Sequence, residues 1–288
     1  MRRARRLIAA ILLTAVAALA LAACGDDDDE GAATAATAAT SCAREDLDLV
    51  ADGALTVGTD SPAFPPYFVD NEPSNGEGFE SAVAYGIAER LGFPAEDVRW
   101  TVVPFNASFA PGPKTFDFDI NQVSISEQRR KAVDFSEPYY TTPQAVLVPE
   151  GSEYADATGV AELREARFGV QVGTTSLDAV TEVIDPSTEP RVYNDSNDVV
   201  RALKSKQVDA IVTDLPTAIY LRDVEVEGST VVGQFAAPGG DDWGAVLAKG
   251  SPLTSCVSQA IADMRESGEL GRITERWIGA EAPVLDLG

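Results

Sequence analysis

Leu55-Thr56-Val57-Gly58, then Phe79-Glu80-Ser81-Ala82-Val83-Ala84-Tyr85-Gly86-Ile87-Ala88-Glu89-Arg90-Leu91-Gly92, then Val98-Arg99-Trp100-Thr101-Val102-Val103: this stretch decides the fold. Its outer segments are short runs rich in β-branched residues, the composition of strands. Between them Phe79, Ala82, Val83, Gly86, Ile87, Arg90 and Leu91 keep the spacing of one helical face, and Gly92 supplies a left-handed stop. Strand, helix and strand within roughly 50 residues form a parallel βαβ unit. The pattern restarts downstream: Phe168-Gly169-Val170-Gln171-Val172 reads as a strand, Gly173-Thr174-Thr175-Ser176 as a turn and helix cap, and Leu177 to Val183 as a helix. Val199 to Lys204 is a further helix and Asp209-Ala210-Ile211-Val212 a strand. Leu253, Val257, Ile261 and Met264 form one late helical stripe, and Leu270, Ile273 and Trp277, beyond Gly268, form another. Two α/β lobes follow, and a length of 288 residues fits two domains at about 150 residues each.

Composition narrows the chemistry. Twenty-two Lys and Arg against 46 Asp and Glu leave a net charge of −24, so a nucleic-acid polyanion is a poor partner. The absence of histidine removes Ser-His-Asp and Cys-His pairs, histidine metal sites and histidine proton shuttles. No cofactor or metal is expected.

The N-terminus reads as an export signal. Arg2, Arg3, Arg5 and Arg6 precede an apolar run from Leu7 to Ala23, which ends in Leu21-Ala22-Ala23-Cys24. That run is at the short end for a membrane span, and no stop-transfer charges follow it. The quartet resembles the lipobox of bacterial lipoproteins, which implies that 1–23 is a signal peptide, that cleavage precedes Cys24, and that lipid on Cys24 anchors the protein to the cell membrane. Cleavage would remove four arginines and no acid, taking the charge from −24 to −28. Residues 24–41, acidic and then rich in Ala and Thr, read as a disordered tether. Cys42 and Cys256 are then an even pair in an exported chain, and a disulfide is expected between them.

A family resemblance rests on an ordered set of motifs. Thr59-Asp60, Ala63-Phe64-Pro65-Pro66-Tyr67-Phe68, Gly78-Phe79-Glu80, Phe116-Asp117, Ser124-Ile125-Ser126-Glu127-Gln128-Arg129 and Val133-Asp134-Phe135-Ser136-Glu137-Pro138-Tyr139-Tyr140 resemble the family 3 solute-binding proteins, receptors of ABC importers for polar amino acids. Gly173-Thr174-Thr175-Ser176, Val208 to Asp214, Trp243-Gly244 and the closing Gly268 to Gly279 continue the likeness. It implies a two-lobed periplasmic-binding-protein-like fold of type II, with lobes joined by two crossover strands. Lobe 1 is then 42–138 and 244–288, lobe 2 is 144–238, and 139–143 and 239–243 are hinges.

The site follows from ligand chemistry and the resemblance together. A zwitterion buried without partners is prohibitively unstable. Its α-carboxylate needs a fork of donors, and Arg129 matches the family's carboxylate-binding arginine, aided by amides at Ser124, Thr174 and Thr175. For the α-ammonium, Asp214, the Ser124 hydroxyl and the Gln122 carbonyl match the family's acceptors; Asp214 could instead, or also, be an N-cap for the helix opening at Leu215-Pro216, and the family match favours the ligand role. Phe64 and Phe105 match aromatic walls around the ligand side chain, and either could instead be core. Asp60 matches a position that reads the distal end of amide or cationic side chains, and Gln171 sits where cation-capable residues occur in some relatives. Asp119 replaces a usual apolar strand residue and could equally be a strand-edge or salt-bridged structural residue, and Gln122 replaces a usual small residue, usually glycine. The set leans toward glutamine, arginine or lysine.

The resemblance implies a monomeric, lipid-anchored, extracytoplasmic receptor that passes its ligand to an ABC permease. Two other classes share the fold. An exported dehydratase would use Asp60 or Asp119 as general acid. A ligand-sensing receptor is the other; the anchor and the chain's end at Gly288 argue against a fused sensor.

Overall fold

The computed structural model describes residues 41–279 and 281–287. The expected signal peptide, Cys24 and the expected tether apart from Ser41 lie outside the described residues.

The βαβ unit forms as expected: β1 (Leu55–Thr59) pairs in parallel with β2 (Val98–Val102), and α1 (Phe79–Arg90) connects them. α1 buries more than one stripe, with Phe79, Glu80, Val83, Ala84, Gly86, Ile87 and Ala88 all inaccessible. The chain continues through α2 (Phe105–Ser108), β3 (Phe118–Asp119), α3 (Glu127–Arg130) and β4 (Val133–Phe135). It then crosses to the second lobe in β5 (Tyr140–Thr141) and enters β6 (Gln144–Val148).

Lobe 2 comprises β6, β7 (Phe168–Gln171), α4 (Thr175–Ala179), β8 (Arg191–Tyr193), α5 (Ser196–Lys204), β9 (Ala210–Asp214), α6 (Leu215–Tyr220) and β10 (Thr230–Phe235). The helix expected over Leu177 to Val183 begins two residues earlier, capped by Thr174, and widens into a π turn at Val180–Ile184. β11 (Asp242–Trp243) carries the chain back and pairs antiparallel with β5, so the two crossovers lie side by side. β12 (Val246–Ala248), α7 (Leu253–Glu266) and α8 (Glu269–Trp277) complete lobe 1.

The first sheet has the order β2-β1-β3-β12-β4 and the second β10-β6-β9-β7-β8. In lobe 1, α1, α7 and α8 pack around Leu55, Phe79, Ile87, Val257 and Ile261. Gly86 permits the closest approach of α1 and α7: a Cβ there would meet Met264 Cε at 2.4 Å. Lobe 2 has an apolar cluster around Phe168 and Ile184 and another around Leu203, Ile211 and Leu215.

Cys42 and Cys256 are bridged, with Cα atoms 5.5 Å apart across 214 positions, which staples the start of the described chain to α7. The expected assignment of all of 244–288 to lobe 1 fails at its end. Val284 and Asp286 bridge to Gln234 and Gly159, and Leu285 is buried in the Phe168 cluster of lobe 2. Among the described residues, no helix is long and apolar enough to cross a membrane.

Candidate functional site

The loops leaving β1, β3, β7 and β9 converge between the lobes around a cavity of about 470 Å³. Asp60, Phe64, Phe105, Gln122, Ser124, Arg129, Gln171, Thr174, Thr175 and Asp214 all line it. Hydrogen bonds cross it: Tyr67 Oη lies 2.8 Å from Thr217 Oγ1, Arg129 Nη2 donates to Gly173 O at 2.9 Å, and Ser124 Oγ lies 3.2 Å from Thr175 Oγ1. The lobes are therefore closed on each other.

Arg129 sits on α3, where the Ser126 cap accepts its backbone N–H. Its guanidinium is 4.3 Å from the Phe109 ring centroid and 5.6 Å from that of Phe105, and Nη1 donates to Ser124 O at 2.5 Å. Burial lowers its pKa to about 10, against the opposing pull of Asp214 and Asp178. Only a planar, weakly hydrated cation can be faced by aromatic rings and still donate at its edge.

Asp214 ends β9 and precedes α6, yet its side chain makes no cap hydrogen bond. It accepts instead from Gln144 Nε2 at 2.5 Å, which removes the plain N-cap alternative. Burial raises its pKa to about 7, the Gln144 bond opposes this, Asp241 adds to it, Arg129 lowers it and Glu80 raises it. Among the described residues, neither Arg129 nor Asp214 enters an ion pair.

The other expected residues hold particular contacts. Asp60 accepts from the backbone N–H groups of Ser61 and Phe105 at 2.7 and 3.1 Å, tying the proline loop to α2. Phe64 is 37% exposed on that loop, outside the core. Phe105 lines the cavity but packs edge-on against Phe109, so its ring supports Arg129 as well as forming a wall. Gln171 Oε1 accepts from Ser196 Oγ at 2.5 Å, and Thr174 caps α4. Gln122 is held at φ 48°, in the left-handed region where glycine is easiest, and both its backbone and side-chain N–H groups donate to Glu80.

Asp119 does not line the cavity. It is fully buried in β3, and neither carboxylate oxygen has a hydrogen-bond partner. Burial pushes its pKa well up, with Glu80 and Asp60 adding to the effect.

Sequence reasoning missed Glu80, Gln144, Phe109, Tyr67 and Thr217. Glu80 is inaccessible in the first turn of α1 and accepts from Tyr139 Oη at 2.5 Å; burial raises its pKa to about 7. Its signal was a carboxylate beside Phe79 where the apolar spacing begins. Phe109 stands one helical turn beyond Phe105, a spacing that brings two rings to one face.

The family described as bacterial extracellular solute-binding proteins, family 3, matches residues 55–280. The L-cystine-binding protein TcyJ of Escherichia coli (strain K12) is 30% identical over 80% of this chain and 84% of its own length. The arginine-binding extracellular protein ArtP of Bacillus subtilis (strain 168) is 26% identical over 79% of this chain and 87% of its own. Among solved structures, an ancestral arginine-binding protein bound to glutamine superposes with a TM-score of 0.67 at 30% identity, covering 80% of this chain and all of that one. The ancestral amino acid-binding protein AncCDT-1, a precursor of cyclohexadienyl dehydratase, gives 0.64 at 29% identity, covering 78% and 95%. With that match across the whole cavity and both sheets, the chain belongs to the bacterial extracellular solute-binding proteins of family 3.

Proposed function

We propose that this protein captures a polar amino acid between its lobes and delivers it to an ABC importer, held at the outer face of the cell membrane by lipid on Cys24. One observation carries the reading: a buried guanidinium from lobe 1 and a half-buried carboxyl from lobe 2 line the same cavity, and among the described residues neither is neutralised by an ion pair. A zwitterion would satisfy both, its carboxylate at the Arg129 fork and its ammonium at Asp214. The names of the relatives, which bind L-cystine and arginine, support a polar side chain. Glutamine, arginine and lysine fit the polar lining from Gln171 and Ser196.

Ligand contacts to both lobes favour the closed state, so binding and closure are coupled. A thermal-shift screen of residues 42–288 against the twenty amino acids and L-cystine tests this. A ligand at about 1,000 times its Kd adds roughly 4 kcal/mol, a shift of several degrees. Arg129→Ala should abolish ligand-induced contraction in solution scattering, and Asp214→Asn should weaken binding at least about tenfold. Contraction that survives Arg129→Ala would overturn the carboxylate assignment.

The AncCDT-1 likeness is the observation favouring a dehydratase. Its two candidate acids are poorly supported: Asp60 already accepts two backbone bonds and Asp119 does not line the cavity. Conversion of a ligand on incubation, followed by mass spectrometry, would establish it.

A further inference from the structure

We infer that Gln144 is the positioning residue for Asp214, an inference that rests on the reading of Asp214 as the ammonium acceptor. Gln144 is fully buried at the start of β6, immediately after the first crossover, with Asp214 as its register partner on β9. Its amide has only one sensible orientation. Nε2 donates to Asp214 Oδ1 at 2.5 Å, and Oε1 accepts from Ser176 Oγ at 2.6 Å. A carboxylate only accepts, so the NH2 end must face Asp214, and the Ser176 hydroxyl holds the opposite end. Gln144 thus ties the end of the first crossover to Asp214, and removing it would leave that carboxyl without its donor.

The charged and titratable groups around Asp214 are Arg129, Asp241, Glu80, Tyr67 and Tyr140. Carbon-13 NMR titration of the Asp214 carboxyl in the unliganded protein tests the inference without a ligand. Gln144→Ala should move its midpoint to higher pH. The affinity for L-glutamine, L-arginine or L-cystine should fall about tenfold at pH 7 and recover as pH rises. In an Asp214→Asn background Gln144→Ala should have little further effect on affinity. An unchanged midpoint in both Gln144→Ala and Gln144→Leu would overturn the inference. Undiminished binding in Arg129→Ala and Asp214→Asn would instead overturn the site reading.

A different observation carries a second proposal: the geometry points to residues 281–287 as a strap that limits how far the lobes open. Ile278 is buried in lobe 1 after α8, and four residues later Ala282 O accepts from Gln234 Nε2 in lobe 2 at 2.7 Å. Pro283 O then accepts from Gln234 N, Leu285 N donates to Gln234 O, Asp286 N donates to Thr158 O, and Val160 N donates to Asp286 O. Leu285 lies over Gly233, where a Cβ would come within 2.8 Å of both Leu285 and the Pro283 carbonyl. The glycine is the seat of the strap. Four residues span about 14 Å at full extension, so wider separation of these anchors requires the strap to peel away. The strap lies beyond residues 55–280, which the family match covers.

By restricting open conformations the strap raises the fraction of closed, binding-competent protein. Gly233→Val suits a strand and fills the seat, and Leu285→Ala removes the buried anchor with less perturbation. Both should enlarge the unliganded radius of gyration in solution scattering, and amino-acid affinity should fall about threefold or more. A radius unchanged in both folded variants would overturn the strap.

Discussion

Among the described residues, lobe 1 buries Glu80, Asp117, Asp119 and Arg129, whereas the buried polar side chains of lobe 2 are the neutral Gln144, Thr175, Ser176 and Ser229, with Asp241 beside the crossover. Lobe 2 is a sheet between two apolar clusters. Lobe 1 has a polar interior next to the cavity, and it alone carries the disulfide. Burying charge is unfavourable unless it is partnered, so the two interiors should respond to different perturbations. Lobe 1 responds to reduction and to titration within its interior, whereas lobe 2 titrates at Asp214 on the cavity edge and its two apolar interiors respond to lost volume.

The largest expected effect belongs to lobe 1. Opening the 214-position loop by Cys42→Ser with Cys256→Ser should lower stability by up to about 5 kcal/mol in the chain-entropy model. Urea unfolding of the double variant checks this. A loss confined to the lobe 2 amides in hydrogen exchange would break the comparison. Next comes Phe168→Ala, which removes a fully buried ring from lobe 2. About 4 kcal/mol should be lost, equally at pH 5 and pH 8. A marked pH dependence would mean that the interior of lobe 2 also responds to titration.

The third effect is the titration of Glu80. Its carboxyl sits at about 7 in the folded protein against an ordinary 4.5, so the native state holds the proton more tightly. That contribution is complete below about pH 4.5 and is lost as pH rises through 7, a change on the order of 3 kcal/mol. Glu80→Gln should flatten the urea midpoint across this range. The same slope in wild type and variant would assign the pH dependence elsewhere.

What could be read in advance divides along similar lines. The two α/β lobes were legible because strand and helix periods alternate from Leu55 to Trp277, and periodicity registers the burial of whole faces. The cavity residues were legible because a fork of donors and an acid at the end of a strand are types that zwitterion chemistry demands. Side-chain direction was not legible. Nothing in the run Thr213-Asp214-Leu215-Pro216 tells a capping carboxylate from one that turns to Gln144, because the choice is made by a strand distant in sequence. The strap was invisible for the opposite reason. Residues 281–287 have no period at all, and their order comes from the bare backbone at Gly233 and the open amides of Gln234. Glu80 was not legible as a buried group because a lone acid at the start of a helix is ordinarily a solvated one favoured by the helix dipole.

The smallest effect sharpens the comparison most. Asp119 lies in β3, next to β1 and β12, with both oxygens buried and without partners. An ionised carboxylate there would be severely destabilising, so burial favours the protonated form and pushes the pKa well up. Even the neutral acid leaves unsatisfied polar atoms, with Oδ2 over Gly58. Asp119→Val adds little volume and suits a strand, so it should stabilise by about 1–2 kcal/mol at pH 5, and by more at pH 8, where the wild type must hold its proton against solvent. Asp119→Asn should remove only the pH-dependent part. Thermal unfolding of the three proteins at both pH values separates the terms. If valine destabilises at pH 5, the carboxyl is satisfied in the folded state, and lobe 1 then buries Asp119 for a structural reason rather than merely tolerating it.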